Sequence, residues 1–102
     1  MAFVAVRPQM AYDAERDVRI GYLGRHELKV EQAHLYLTLA IEDTVAPSTG
    51  ELGCAIYWPD DLVWNDLLGP RALSAAEREA LEADLRNGLA ALGATASFVP
   101  AS

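Results

Sequence analysis

Several kinds of chemistry are missing from this sequence. Cys54 is the only cysteine. No internal disulfide can form, and a reducing setting, the cytoplasm, is the natural expectation. His26, His34 and Cys54 stand apart, without the CxxC, HxxxH or HExxH spacing that brings two ligands to one metal. No metal and no cofactor is expected. The glycines Gly21, Gly24, Gly50, Gly53 and Gly69 are scattered, and no glycine-rich loop leads into a helix to cradle phosphate. No apolar run is long enough to span a bilayer, and the opening MAFVAVRPQM lacks both the basic start and the long apolar centre of a signal peptide. Basic residues are few: 8 Lys and Arg stand against 15 Asp and Glu, a net charge of −7. Nucleic-acid binding, which needs a basic footprint, is excluded on this balance, and an anionic membrane surface is disfavoured. A basic protein partner is compatible with it, because opposite fields speed encounter; the plainer reading is that the acids keep a small domain in solution.

What is present is enough for one folded domain over residues 1–102, with 52% hydrophobic residues. Residues 1–16 read as an N-terminal strand or tail and 17–99 as the core. The clearest local signal is Leu73 to Gly93. Ser74 is a good N-cap, and Glu77 three residues on completes a capping box. Leu81, Leu85, Leu89 and Leu92 recur at helical spacing, Glu82 and Arg86 form an i, i+4 pair, and Gly93 suits the left-handed position that ends a helix. Upstream, Phe3 to Val6 is a short β-prone run, Gln9 to Arg16 reads as irregular, and Val18–Tyr22 and Leu28–Val30 alternate as a hairpin around Gly24-Arg25. Leu35, Leu37, Leu39 and Ile41 place four large apolar side chains on one strand face. Glu42 to Gly53 reads as an exposed loop built on Pro47, Ser48, Thr49 and Gly50. Cys54–Trp58 is an apolar strand that Leu62–Trp64 resumes, Asn65–Arg71 is a connector, and Thr95–Val99 is a last strand. The expected fold is α+β: a mainly antiparallel sheet of about five strands, one long C-terminal helix on one face, and a final short strand. The other sheet face has no evident cover.

Each candidate for chemistry meets a plain structural counterpart. A thiolate pair of Cys54 with His34 competes with an inert thiol in an apolar strand. Asp60 and Asp61, adjacent on an extended chain, point to opposite faces and do not share a substrate. Partner recognition has the most support. Tyr57, Trp58 and Trp64 lie among Asp60, Asp61 and Asp66, a mix of aromatic anchors and acids that suits basic side chains. Glu42 and Asp43 extend that field. The candidate partner-binding set is therefore Asp60, Asp61, Trp64, Asp66, Glu42 and Asp43, although packing under the helix is a competing role for both tryptophans.

The run AIYWPDDLVWND, a proline-bearing connector and LSAAEREALEADLRNGLAALGATASFV resemble small immunity proteins of bacterial polymorphic toxin and contact-dependent inhibition systems. The positions carrying the resemblance are Tyr57, Asp60, Asp61, Trp64, Ser74, Glu77, Arg78 and Gly93, within a span of residues 18–99. The N-terminal segment and the Glu42–Gly53 loop are longer here than in that pattern. The resemblance implies a non-enzymatic inhibitor that binds a cognate toxin, often a nuclease with a basic cleft. The alternative is a self-associating structural or accessory domain, a homodimer through the free edge of Phe3–Val6 or Thr95–Val99.

Overall fold

The structure is a computed structural model describing residues 3–46 and 48–100. In chain order its elements are β1 (Val4–Arg7), β2 (Met10–Asp13), β3 (Val18–Gly24), β4 (Glu27–Gln32), β5 (Leu35–Val45), β6 (Leu52–Trp58), β7 (Val63–Asp66), β8 (Gly69–Ala72), α1 (Ala75–Ala91) and β9 (Thr95–Pro100). The fold is α+β, a mainly antiparallel sheet with one helix. The main sheet runs β1-β2-β3-β4-β5-β6-β9, and the β7–β8 hairpin attaches to β5 through Tyr36 and Asn65. Among the described residues only β9 runs parallel to its neighbour, β6. The first half of β5 pairs with β4 and its second half, from Ile41, with β6. Helix α1 packs against β9 at one end of this order and against β1, β2 and β3 at the other. A sheet whose two ends reach the same helix must curl around it, as the twist of strands allows.

The helix is built as its sequence dictates. The Ser74 hydroxyl accepts the Glu77 N–H at 3.1 Å, and the Glu77 carboxylate accepts the Ser74 N–H at 3.0 Å. At the other end the Gly93 N–H donates to the Ala90 carbonyl and the Ala94 N–H to the Leu89 carbonyl. Gly93 stands at φ +83°, which completes a Schellman ending. Leu81, Leu85 and Leu89 are buried in one core with Val18, Ile20, Leu28, Val30, Leu37, Leu39, Ile41, Cys54, Ile56 and Trp64. The leucine face of β5 and the leucine stripe of α1 thus share one interior. Gly88 lets the helix approach β3 closely: a Cβ there would stand 2.7 Å from Ile20 Cδ1.

Among the described residues nine strands form where about five are expected, and the helix is 17 residues long. Beyond the expected set stand β1, read as a strand or tail, β7, read as a resumption of β6, and the unread strands β2 and β8, and three stretches differ from their reading. Gln9–Arg16, read as irregular, contains β2: Ala11 and Asp13 face the core while Met10 and Tyr12 are half-buried. An inward aspartate breaks the apolar alternation that would have marked the strand. Glu42–Gly53, read as a loop, is ladder at both ends, because Thr44 pairs with Gly53 and Val45 with Leu52, and among the described residues only those between are loop. Pro47 lies outside the described residues. Asn65–Arg71, read as a connector, is most of a hairpin in which Asp66 pairs with Gly69.

The inward Asp13 is answered by Arg16. The Arg16 Nε donates to Asp13 at 3.1 Å, and its Nη2 reaches Asp84, on the buried face of α1, at 2.5 Å. Asp13 is 1% exposed and Asp84 6%. One guanidinium therefore fastens the β2–β3 turn to the middle of the helix, with charge-assisted bonds at both ends. Burial pushes the Asp13 carboxyl upward, but the Arg16 hydrogen bond and the backbone N–H groups of Glu15 and Arg16 outweigh it and hold the group below 3.8. A carboxyl lowered on folding contributes stability that is complete above its unfolded value and lost as pH falls through its folded value. Arg16→Met should accordingly lower the urea midpoint at neutral pH, since it leaves two buried carboxylates without a cation. The gap from the unchanged protein should narrow below pH 3.8. A gap independent of pH would remove this role from Arg16.

Candidate partner-binding surface

The side chains of the sheet divide by strand alternation into an inner face under α1 and an outer face with no second layer among the described residues. On the β1–β4 side of the outer face the cations are occupied. The Arg19 guanidinium lies 4.6 Å from the centre of the Tyr12 ring and 3.2 Å from Asp17, and the Lys29 Nζ lies 5.1 Å from the Tyr36 ring centre. The β5–β6–β9 side differs. Thr38, Ala40, Glu42 and Thr44 of β5 stand beside Gly53, Ala55 and Tyr57 of β6, followed by Thr95, Ser97 and Val99 of β9. These side chains are small or carry hydroxyls, so the surface is low. Gly53 permits this packing, because a Cβ there would overlap the Thr44 hydroxyl. The one charge on it is Glu42, which accepts the Tyr57 hydroxyl at 2.9 Å. That hydrogen bond and the charge of the carboxylate push the Tyr57 phenol upward.

The charge of the molecule is segregated along the chain. Between Lys29 and Arg71 there is no Lys or Arg, yet seven acids occur: Glu31, Glu42, Asp43, Glu51, Asp60, Asp61 and Asp66. The remaining eight acids and eight bases cancel, so the whole net charge of −7 arises from this stretch. In the fold it contributes the second half of β4 and all of β5, β6 and β7. Glu51 lies at one end of β6, Asp60 and Asp61 follow its other end, and Glu42 stands beside its middle. The β5–β6–β9 outer face is thus a low, hydroxyl-rich surface with Glu42 at its centre and Glu51 at one end, and Asp60 and Asp61 are exposed on the turn beyond the other end.

The six nominated residues do not form one cluster. Trp64 is 3% exposed and belongs to the core, facing inward with Leu62, so it offers no surface to a partner. Trp58 is half-buried, edge-on to Phe98 at 5.0 Å, with the Arg78 guanidinium 5.4 Å from its ring centre. Glu42 and Asp43 are neighbours on a strand and face opposite ways: Glu42 outward, Asp43 toward an open groove beyond the helix end. Asp60 and Asp61 are exposed on the turn before β7, where Arg78 donates to the Asp60 carbonyl at 3.2 Å. Asp66 stands near the tip of the β7–β8 hairpin, 3.5 Å from His34. Sequence reading missed the Glu42–Tyr57 pair and the seven-acid stretch without Lys or Arg, although the second is legible in the order of the charges alone.

The chemical candidates are placed equally plainly. Cys54 is fully buried, within hydrogen-bonding reach of the Tyr22 hydroxyl. Burial pushes its thiol upward, and nearby Asp43 adds to this against the Tyr22 hydrogen bond. Burial and the neighbouring Cys54 and Asp43 take the Tyr22 phenol to about 12. His34, by contrast, lies in the β4–β5 turn with its side chain 62% exposed. Cys54 pairs with Asp43, nine positions along the chain from His34. At about 3.3 Å per residue, that separates thiol and imidazole by roughly 30 Å. Among the described residues no three of His, Cys, Asp and Glu come together to hold a metal ion, and no helix is long and apolar enough to cross a membrane. Compared with known proteins, the chain matches no family model, no curated protein and no solved structure. A disulfide-exchange reagent at mildly alkaline pH should leave Cys54 unlabelled in the folded protein and label it fully in urea. Rapid labelling of the folded protein would contradict this burial.

Proposed function

We propose that this protein is a non-enzymatic binding module that receives a basic protein on the outer face of β5, β6 and β9. The proposed partner is a toxin that the module neutralises in the cytoplasm, as the resemblance to small immunity proteins implies. The observation carrying this reading is the segregation of charge. A domain that needed acids only for solubility would gain as much from spreading them, whereas here the whole net charge arises from the stretch that carries β5, β6 and β7. The same half carries a layer-free face whose small side chains allow close approach, with Tyr36 and Val99 exposed as apolar contacts. A nuclease suits such a surface, since a cleft that binds nucleic acid is lined with cations. Glu42, Asp60 and Asp61 are the acids assigned to contact, with Glu51 at the far end; Asp43 and Asp66 contribute through the field.

The test is calorimetric titration of the protein with the catalytic domain encoded by a toxin-like reading frame beside its gene. The unchanged protein should bind it and suppress its activity. The Glu42→Gln, Asp60→Asn, Asp61→Asn triple variant should bind about tenfold or more weakly at low salt, with the difference shrinking as salt is raised. Equal affinity of the two proteins at all salt concentrations would overturn the assigned surface, and no binding by the unchanged protein would overturn the function.

A further inference from the structure

Two apolar features are left over, and they lie at opposite ends of β5. The first is the tip of the β7–β8 hairpin, where Leu67 and Leu68 are 89% and 97% exposed. The turn itself is formed by its flanks. The Asp66 carboxylate accepts the Leu67 N–H at 2.5 Å, and Gly69 takes φ +115°, the Asp-then-Gly arrangement of a two-residue turn. The two positions between them carry no conformational demand that leucine meets, and polar residues are usual there. Single exposed leucines are ordinary; two adjacent ones projected together from a tight turn are an apolar finger.

The second feature is a groove of about 420 Å³ at the other end of the molecule. Helix α1 stops at Ala91, short of the ends of the β3–β4 and β5–β6 hairpins, and leaves their inner surfaces uncovered. Leu23, Val45 and Leu52 line the opening and are 56%, 61% and 60% exposed, with half-buried Leu92 and Ala94 behind them. Arg25 stands at the rim and makes no ion pair among the described residues. It offers a cation to the Asp66 carboxylate that flanks the finger.

We propose that copies of this chain associate head to tail, with the Leu67–Leu68 finger of one copy seated in the Leu23–Val45–Leu52 groove of the next. A donor and an acceptor at opposite ends of one molecule make a heterologous contact, which propagates into chains instead of closing as a two-fold dimer. One finger in one groove is a small interface, well under the ~1,200 Å² of stable complexes, so the association is weak and appears only at high protein concentration. Charge adds a signature. Each copy carries −7, so salt that screens this repulsion strengthens the association. Binding of a basic partner responds to salt in the opposite direction, which keeps the two readings distinguishable.

Sedimentation velocity of the full chain, from about 10 μM to about 1 mM, tests the proposal. The average mass should rise with concentration, more steeply at higher salt. The Leu67→Ser, Leu68→Ser variant and the Leu52→Glu variant, both changed only at exposed positions, should keep the circular dichroism of the unchanged protein and remain monomeric. An equimolar mixture of the two should form a dimer that grows no further, because it contains one intact finger and one intact groove. Three results would each overturn the proposal: an unchanged protein that is monomeric throughout, variants that associate as it does, or a mixture that stays monomeric.

Discussion

The structure depends on one closure: a single helix laid into the opening of a curled sheet. Leu81, Leu85 and Leu89 of α1 fill the space between the early strands and the late ones. The closure is made twice, by different forces. Apolar burial holds the helix at its leucines, and Gly88 lets it settle onto Ile20 without an intervening side chain. Arg16 then fastens the β2–β3 turn to Asp84 in the middle of the helix. Burial alone is non-directional and would tolerate sliding of helix on sheet; a forked guanidinium between two buried carboxylates fixes where along its length the helix sits. Everything outside this closure follows from it, since a helix occupied on the inner face leaves the outer face bare.

That bare face is where the charge pattern becomes a surface. Strand alternation sends Glu42 out with Tyr57 while sending Asp43 inward, and the sheet order places β6 between two acid-bearing turns. Four cations outside that stretch, Arg19, Arg16, Arg71 and Lys29, are occupied by Asp17, Asp84, Glu77 and the Tyr36 ring, while Arg7 and Arg25 make no ion pair among the described residues. The four occupied cations are therefore poorly placed to neutralise the anionic half. The two halves of one sheet differ in electrostatic character although they share a core.

How much of this is legible in the sequence depends on how local each signal is. The helix, with its capping box at Ser74 and Glu77 and its stop at Gly93, is fully legible, because each device acts within a few residues. The central strand is legible from Leu35 to Ile41 by period, and its extension to Val45 is not, because the turn formers at 48–50 mask the β-branched Thr44 and Val45. Strand β2 is hidden by Asp13, whose inward position makes sense only with Arg16 and Asp84, a residue of the distant helix. The hairpin at Asp66–Gly69 is hidden because two leucines occupy its turn. For the candidate surface, aromatic residues near acids are a poor guide. Trp64 alternates with exposed Val63 and falls inside, and the acids spread over three places on the sheet. The informative pattern is coarser, the absence of any Lys or Arg from Val30 to Pro70.

The central claim, that the anionic half of the sheet is built to receive cations on its outer face, is tested most directly by nuclear magnetic resonance. The measurement is the backbone amide spectrum at low salt during titration with an arginine-rich peptide. Shift changes should concentrate at Thr38, Glu42, Tyr57, Asp60, Asp61 and Ser97 and be reversed by added salt, with α1 unmoved. Changes spread evenly over helix and sheet, or confined to β1–β3, would contradict that claim.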